Sequence, residues 1–382
     1  MRREAVIAGV AESELGVTSR SALELTTQAT LAALDDAGLR PTDVDGLATV
    51  GIPRFPAIQV AEYIGLRPRW SSSSFVGGSS FEVFVADATE AIRAGLADVV
   101  VITYGSNQRS ARARKLAGVL DPAQPESQFD APYGVLNPLS LYAMAAQRHM
   151  HEFGTTSEQL AEIAVAAREW ALRNPKAYRH DAGPLTIDEV LESDLVSSPL
   201  HVLDCCLVTD GGGAVVVAAD DRVPDLRAPA VRVLGHGQAM THHGMSQIPD
   251  LTATGANASA TLAWQRSGLG PADIDVVEVY DSFTVTALLT LEALGFCGRG
   301  EGGAFVADGR LRPGGSLPFN TSGGGLSYCH PGMFGIFLVI EAVRQLRGEC
   351  GERQVAGAET AVCHGTGGIL SSHATVVLGV DR

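Results

Sequence analysis

The sequence predicts an α/β protein built from two similar halves, and three observations lead to that prediction. Short segments rich in Val and Ile alternate with amphipathic helical segments along the 382 residues. Two pairs of segments resemble each other, Gly95–Ser106 with Gly357–Gly367 and Gly211–Asp220 with Ser371–Asp381. A stretch rich in proline and charge, residues 222–230, lies between them. We therefore expect one half at residues 1–225 and the other at 226–382.

The composition favours a compact cytoplasmic enzyme. Hydrophobic residues make up 46% of the chain and charged residues 19%, while the formal net charge of −15 disfavours nucleic acid or an anionic membrane as partner. The six cysteines form no CxxC pair, which favours a reducing compartment and disfavours structural zinc. Because Glu12 and Glu14 interrupt the first apolar run, it predicts a strand and not a signal peptide, and no stretch has membrane-spanning length.

The strands and helices follow from apolar periodicity and from Ser or Thr at helix starts. Their alternation predicts parallel pairing. The predicted strands are Ala5–Val10, Val44–Val50, Asp98–Tyr104, Ala214–Ala219, Val231–Leu234, Asp275–Tyr280, Ala358–Cys363 and Ala374–Leu378. The predicted helices are Ser21–Ala37, Ser79–Ala94, Ser157–Arg173, Ser259–Ser267, Phe283–Leu294 and Gly332–Leu346.

The first half carries an insertion at about residues 108–201. It combines a Pro- and Gln-rich stretch with an amphipathic helix, and a long insertion of this kind in an α/β core is typical of a substrate cover. The insertion opens with a basic run, Arg109, Arg112, Arg114 and Lys115, which is either a solvated face or a site for phosphate groups.

The segment Asn320–Gly335, "NTSGGGLSYCHPGMFG", places a cysteine beside a histidine. Pro331 favours extended backbone at His330. If residues 327–330 are extended, Tyr328 and His330 share a face, and Cys329 points away from both. Two interpretations stay open, a catalytic Tyr328–His330 pair or a turn histidine that caps the next helix.

Two further segments lie at the carboxyl ends of predicted strands, the edge of an α/β sheet where substrates bind. In "DVVEVYDSF", Tyr280 ends a predicted strand, with Glu278 on the same face; the alternative is a core tyrosine with a bonded hydroxyl. In "AVCHGTGG", Cys363 leaves a buried strand into a glycine-rich loop whose N–H groups could face a carbonyl. The alternative for Cys363 is an inert buried thiol.

These motifs, in this order and over nearly the whole chain, resemble the thiolase superfamily, especially its sterol-carrier-protein-type and lipid-transfer-protein-like branch. His330 aligns with the histidine of the family's G-H-P-x-G motif, and Cys363 aligns with the acid/base cysteine of the family's C-x-G-G-G motif. "YDSF" replaces the Asn-Glu-Ala-Phe or His-Asp-Cys-Phe of the family. The resemblance implies a thiolase-like fold with two βαβαβαββ halves in αβαβα layers, an inserted loop domain, and a homodimer.

One departure from the family decides the expected chemistry. Aligning Gly78 and Ser79 with the family's Gly-Ser puts Phe75 at the position of the acylated cysteine, and a one-residue slip puts Val76 there. No cysteine precedes Cys205. An acyl-enzyme needs a thiolate at this helix N-terminus, so ping-pong thiolysis is not expected.

A chain that lacks the nucleophilic cysteine and carries two phenols, Tyr280 and Tyr328, resembles the thiolase-like aldolases of steroid side-chain degradation. That resemblance implies retro-aldol cleavage of a 3-hydroxyacyl-CoA, without covalent catalysis, in complex with an OB-fold DUF35-type protein. We expect Tyr280 and Tyr328 to transfer protons, His330 to hold the thioester oxyanion with a backbone N–H or water, and no cofactor beyond the coenzyme A of the substrate.

Other residues have subsidiary expected roles. Cys363 is either an acid/base residue or a packing remnant, and the adjacent His242 and His243 are expected in a loop without metal. The residues expected to bind substrate are His364, Gly324, Gly325, Arg109 and Arg112. Two alternative functions stay open, an acyltransferase that uses Cys363 and a non-catalytic subunit that binds acyl-CoA or lipid.

Overall fold

The computed structural model describes residues 3–51, 54–112, 122–135 and 138–380. The strands in these residues are β1 (Ala5–Glu12), β2 (Gly46–Thr49), β3 (Trp70–Ser72), β4 (Val99–Ser106), β5 (Leu195–Ser197), β6 (Leu200–His201), β7 (Gly211–Ala219), β8 (Val231–Met240), β9 (Val276–Val279), β10 (Thr360–Gly367) and β11 (Ser372–Gly379). The helices are α1 (Ala22–Ala37), α2 (Pro56–Ile64), α3 (Ser80–Arg93), α4 (Leu139–Phe153), α5 (Ser157–Ala171), α6 (Ile187–Glu192), α7 (Ala256–Ser267), α8 (Thr284–Leu294), α9 (Gly302–Val306) and α10 (Gly335–Arg347).

Nine of these strands form one sheet in the order β3-β2-β4-β7-β1-β8-β11-β10-β9. The two halves meet where β1 pairs with β8, and outward from that junction they are equivalent. The first half runs β1, β7, β4, β2, and the second runs β8, β11, β10, β9. The repeated segments of the sequence contain β4 and β10, and β7 and β11, which hold equivalent positions in this order.

The prediction of parallel pairing is correct only towards the ends of the sheet. β2 pairs in parallel with β3 and β4, and β9 with β10, whereas the pairs nearer the centre are antiparallel. β11 follows β10 after a short turn with no crossover helix, and such a connection forces antiparallel pairing. In the first half, β7 is the corresponding antiparallel strand and follows the insertion.

The elements stack in five layers, which confirms the predicted αβαβα arrangement. α1 packs on the outer face of the first-half strands, and α7 packs on the outer face of β8 and β11. α3 and α10 lie between the two sets of strands, in a core that includes Phe81, Phe84, Phe334 and Phe337. The middle layer is therefore buried on all sides, and the N-termini of its two helices meet near the candidate site.

All six predicted helices are present, with ends that agree to within three residues. The prediction missed α2, whose apolar Ile58 and Tyr63 are exposed and break the amphipathic pattern. It also missed α4, the short helices α6 and α9, and the short strands β3, β5 and β6. The described residues contain no helix long and apolar enough to cross a membrane.

The insertion contributes α4, α5, α6 and the small β5–β6 hairpin. It packs against the glycine-rich segment, since the N–H groups of Tyr178 and Arg179 donate to the carbonyls of Tyr328 and Ser327 at 2.8 and 3.1 Å. Arg114 and Lys115 of the basic run lie outside the described residues.

A buried ion pair joins the two halves. Glu12, at the end of β1, accepts hydrogen bonds from both terminal nitrogens of Arg344 on α10 and from Lys176 at 3.0 Å. The guanidinium group lowers the pKa of Glu12 far below its ordinary value in spite of burial. Glu12 also accepts a hydrogen bond from the hydroxyl of Tyr328 at 2.7 Å.

Replacing Glu12 by Gln should lower the free energy of unfolding by about 3–5 kcal/mol, because it leaves the buried guanidinium group of Arg344 without its counter-ion. Urea unfolding at pH 7 measures this. The exposed pair of Arg222 and Asp225 supplies the control, since Asp225→Asn should cost less than about 1 kcal/mol. Equal effects of the two substitutions would contradict a stabilising role for the buried pair.

Candidate active site

A hydrogen bond between Tyr280 and His330 forms the centre of the candidate site. The Tyr280 hydroxyl lies 2.9 Å from Nε2 of His330, and the two rings meet edge to face with centroids 5.6 Å apart. Tyr280 directly follows β9, and its N–H donates to the carbonyl of His364 on β10 at 2.9 Å. His330 precedes α10, so the pair joins the end of a strand to the start of a helix.

Burial keeps both members of this pair neutral near pH 7. It lowers the pKa of His330 to about 4 and raises the pKa of Tyr280 well above its ordinary value. The carbonyl of His330 itself favours a proton on its ring, which we assign to Nδ1 because Nε2 faces the phenol. In this tautomer Nε2 accepts the proton of the Tyr280 hydroxyl.

Glycine makes room for the ring of Tyr280. A Cβ at Gly78, just before α3, would overlap this ring and the carbonyl oxygen of Thr366. Burial raises the pKa of Tyr280, and the backbone N–H of Phe334 offsets only part of that rise. The ring of Phe334 packs edge-on against the ring of Tyr280, with centroids 6.0 Å apart. The phenol therefore lies between the N-terminal ends of α3 and α10.

A short segment after the insertion fixes the backbone of His330. Thr209 donates its N–H to the carbonyl of His330 at 3.2 Å, and its Oγ1 accepts the N–H of His330 at 3.0 Å. Leu207 donates in the same way to Gly325 at 2.9 Å. No role for Thr209 was predicted from the sequence, because this pairing joins segments 121 residues apart.

Asp281 holds the glycine-rich turn. Its Oδ1 accepts the N–H of Gly325 at 2.6 Å, and its Oδ2 accepts that of Leu326 at 3.4 Å. Burial nevertheless raises the pKa of this carboxyl to about 7. A Cβ at Gly324 would overlap Oδ2, so the turn fits closely around the carboxyl group. The only sequence signal for this role was an acidic residue directly after Tyr280.

The predicted substrate role of Gly324 and Gly325 does not agree with these contacts. The N–H of Gly325 binds Asp281, and that of Gly324 donates to the hydroxyl of Ser322 at 3.2 Å. Both donors therefore have acceptors within the protein, and they position the loop.

The predicted pairing of Tyr328 with His330 is wrong in its geometry. Residues Gly324–Tyr328 form one turn of π-helix, and the chain becomes extended only at Cys329. Face alternation from Ser327 onwards therefore does not apply. The hydroxyl of Tyr328 donates to Glu12, inside the buried ion pair, whereas Cys329 is fully buried in the central core. Neither side chain forms a hydrogen bond with His330.

Cys363 lies in a setting that disfavours its thiolate. Its Sγ donates to the carbonyl of Leu338 at 3.6 Å, and it is paired in register with Glu278 of β9. Burial raises the pKa of this thiol well above its ordinary value, and the carboxyl groups of Glu82 and Glu278 raise it further. A nucleophilic cysteine needs the opposite, an electropositive and accessible site.

The position expected for an acylated cysteine carries an exposed aromatic ring. Phe75 lies between β3 and α3, with 61% of its surface exposed. The next residue, Val76, donates its N–H to the hydroxyl of Ser80 at 3.1 Å. This part of the chain thus offers no thiol at the N-terminus of α3.

The other residues expected to bind substrate lie apart from the pair. The ring of His364 is buried on the opposite face of β10 from Cys363, between Thr375 at 2.8 Å and His373 at 3.3 Å. Arg109 donates to the carbonyl of Val208 at 3.1 Å, beside the segment that pairs with His330. Arg112 is exposed.

The histidines of the "MTHHGM" segment do not form part of a metal cluster. Nε2 of His242 lies 2.9 Å from the carbonyl oxygen of Ile369. Within the four described ranges, no group of three His, Cys, Asp or Glu side chains could hold a metal ion.

Known proteins resemble this chain in sequence over most of its length. The family model described as "Thiolase C-terminal domain-like" matches residues 237–380. A steroid side-chain-cleaving aldolase of Thermomonospora curvata is 38% identical, over 99% of this chain and 98% of that protein. A 17-hydroxy-3-oxo-4-pregnene-20-carboxyl-CoA lyase of Mycobacterium tuberculosis is also 38% identical, over 95% of this chain and 97% of that protein.

Among solved structures, the Ltp2-ChsH2(DUF35) aldolase matches with a TM-score of 0.90 and 36% identity. The match covers 99% of this chain and 98% of the chain in that structure. The similarity thus extends over both halves and the insertion.

The carboxyl group of Asp281 should make stability depend on pH in a defined direction. Because its pKa is raised from about 4 in the unfolded chain to about 7, its contribution is complete below about pH 4 and is lost as the pH rises through 7. The difference in free energy of unfolding between wild type and Asp281→Asn should therefore fall between pH 4 and pH 8, measured by urea titration.

Asp43, whose pKa is lowered by its hydrogen bonds with Arg40, supplies the control. Because a carboxyl with a lowered pKa contributes stability above the unfolded pKa of about 4, the same difference for Asp43→Asn should not fall across this range. A difference for Asp281→Asn that is constant or rises with pH would contradict a buried, neutral Asp281.

Proposed function

Because this chain belongs to the thiolase superfamily, we propose that it is a carbon–carbon lyase that cleaves a 3-hydroxyacyl-CoA by a retro-aldol reaction. One observation carries the proposal: a buried, neutral Tyr280–His330 pair lies where the family's site is expected, while α3 begins without a thiol. Such a site can move protons, but it cannot form an acyl-enzyme.

The substrate class follows from the similar proteins. Their names describe cleavage of a steroid side chain and of a pregnene-carboxyl-CoA ester. We propose a steroid side-chain CoA ester with a 3-hydroxyl group as substrate of this chain. Cleavage between Cα and Cβ then yields a ketone or aldehyde on the steroid and a shorter acyl-CoA.

The first step removes the proton of the β-hydroxyl. The substrate hydroxyl donates its proton to the oxygen of Tyr280 as the phenolic proton passes to Nε2 of His330. This concerted relay avoids a free phenolate, which burial makes costly. His330 thus acts as the base through Tyr280, in place of the role predicted from the sequence, which was to hold the thioester oxyanion.

The second step breaks the Cα–Cβ bond. The electrons of the hydroxyl oxygen form the new carbonyl, and the bonding pair moves into the thioester to give an enolate. Backbone N–H groups at the N-termini of α3 and α10, which adjoin Tyr280, are suited to hold the enolate oxygen, because helix N-termini favour negative charge. The enolate carbon then takes a proton.

The alternative functions have weaker support. An acyltransferase would need Cys363 as a thiolate, yet this thiol lies close to two buried carboxyl groups. A non-catalytic acyl-CoA or lipid-binding subunit would not need the Tyr280–His330 relay. We therefore place Cys363 as a packing residue.

Partners and ligands complete the proposal. The aldolase whose solved structure matches this chain carries DUF35 in its name, and we propose that this chain assembles with an OB-fold partner of that type and forms a homodimer. No cofactor is needed beyond the coenzyme A of the substrate. Its phosphates would suit Arg109 and Arg179, whose guanidinium groups lie 5.6 and 5.8 Å from the ring centroid of Tyr178.

Replacing Tyr280 by Phe should lower kcat by about 100-fold or more, because the proton relay from the β-hydroxyl to His330 is lost. The assay follows release of the steroid ketone from 17-hydroxy-3-oxo-4-pregnene-20-carboxyl-CoA. Tyr328→Phe is the matched control, since it removes a phenol that binds Glu12, and it should keep kcat within about tenfold at a stability cost of about 1 kcal/mol. Comparable losses in both variants, or none in Tyr280→Phe, would refute the assignment.

Cys363 should not become acylated. Incubation of the protein with acyl-CoA, followed by intact-mass spectrometry, should give no thioester adduct, because burial and the adjacent carboxyl groups disfavour the thiolate. Cys363→Ser should keep cleavage activity within about tenfold, a change of about 1.4 kcal/mol in the activation barrier. A stable adduct that disappears in Cys363→Ser would instead support the acyltransferase.

A further inference from the structure

A carboxyl group that the steps above do not use lies in the middle layer of the fold. Glu82 on α3 is fully buried, and neither of its carboxyl oxygens has a hydrogen-bond partner within the described residues. Burial of an ionised carboxylate without a partner is very costly, so such a group becomes neutral. A neutral carboxylic acid in a catalytic fold is a proton donor.

Three glycines connect this carboxyl group to the phenol of Tyr280. A Cβ at Gly335, the first residue of α10, would lie 2.6 Å from Oε2 of Glu82, and it would overlap the carbonyl oxygen of Gly78. A Cβ at Gly78 would in turn overlap the ring of Tyr280. Gly365 on β10 leaves the same space open, because a Cβ there would overlap Oε2 of Glu82. The backbone of Gly335 and Gly78 thus adjoins both the Glu82 carboxyl and the Tyr280 ring.

The surroundings of Glu82 keep its proton in place. Burial raises the pKa of this carboxyl to about 8. From β10, the titratable group that faces it is the thiol of Cys363, which carries no positive charge, and Glu278 lies beyond that thiol on β9. α10 approaches through Gly335, which has no side chain. No ion pair of Glu82 occurs among the described residues.

We propose that Glu82 is the acid that protonates the enolate carbon, the role that the family resemblance gave to Cys363. Cys363 and Gly365 share one face of β10, since they are two residues apart, and the Glu82 carboxyl reaches this face from α3. The thiol of Cys363 is directed to the carbonyl of Leu338. The assignment rests on the proposed retro-aldol function.

The proton balance closes without any further reactant. The O–H bond of Glu82 breaks, a C–H bond forms from the enolate electron pair, and the thioester carbonyl is restored. Glu82 is left as a carboxylate and His330 as an imidazolium, which holds the proton of the β-hydroxyl. After the ketone leaves, water carries that proton from His330 to Glu82, and both groups return to their starting state.

Two variants test the assignment on 17-hydroxy-3-oxo-4-pregnene-20-carboxyl-CoA. Glu82→Gln keeps the shape but cannot donate an acid proton, and Glu82→Leu fills the site with an apolar side chain. Both should lower kcat by about 100-fold or more with little change in KM, while Glu82→Asp restores part of the rate. In wild type kcat should fall as the pH rises through about 8, where Glu82 loses its proton, and the residual activity of Glu82→Gln should lack this fall.

The matched control is Glu292→Gln. Glu292 on α8 is another buried glutamate, bonded to His149 at 3.0 Å and to the N–H of Gly302 at 2.8 Å, and its replacement should leave kcat and the pH profile unchanged. A folded Glu82→Gln variant that cleaves within threefold of wild type, with the same fall above pH 8, would overturn the assignment.

A second readout separates this inference from the proposed function. Wild type and Tyr280→Phe should both exchange the α-protons of propionyl-CoA in D₂O above about pH 8, where the carboxylate of Glu82 removes an α-proton and then returns a deuteron to Cα without the β-hydroxyl relay. Glu82→Gln should exchange far more slowly. Equal exchange in wild type and Glu82→Gln overturns the role of Glu82 even if the steroid ester is not cleaved. Absence of both cleavage and exchange in wild type overturns the proposed function and this inference with it.

Discussion

The hydrogen bond between Tyr280 and His330 is the interaction on which the chemistry of this protein depends. Its partners come from the end of β9 and from the loop before α10, so it can form only when the second half is folded. Asp281 holds the glycine-rich turn on one side of His330, and Thr209 fixes its backbone on the other. These contacts give a neutral imidazole a fixed acceptor nitrogen next to a phenol, which preorganises proton transfer without a covalent intermediate.

The middle layer of the fold supplies the electrostatic setting of this pair. α3 and α10 are enclosed by strands. Burial raises the pKa of the Glu82 carboxyl on α3 and of the Asp281 carboxyl, which directly follows Tyr280. Where a cation is present the effect reverses, as Arg344 shows by keeping Glu12 ionised. Burial thus keeps Glu82 protonated near the site, whereas the cation beside Glu12 maintains an ion pair that joins the two halves. The same burial prevents a thiolate at Cys363.

Local periodicity predicted the alternating strands and helices and the position of Tyr280 at the end of a strand, whereas the five layers followed from the family resemblance. Prediction from the sequence failed where distant contacts decide. Pro331 constrains only His330, so the π-helical turn upstream, which starts at the left-handed Gly323 and Gly324, was not foreseen and Tyr328 was placed wrongly. Glu82 lies in an ordinary helical pattern, and only the close approach of glycines from α10 and β10 distinguishes it. Parallel pairing was predicted from the alternation of strands and helices alone, and that pattern does not show which strands are joined by a short hairpin connection.

The protonation state of His330 tests the central claim most directly. A pH titration of protein labelled with ¹⁵N at histidine, followed by NMR with His330→Gln to assign the signal, reports both ring nitrogens. We expect His330 to stay neutral from pH 8 down to about pH 5, with the proton on Nδ1 and Nε2 free to accept from Tyr280, and to titrate near pH 4. An imidazolium at pH 7, or a neutral ring with its proton on Nε2, would contradict a relay in which His330 takes the proton of Tyr280.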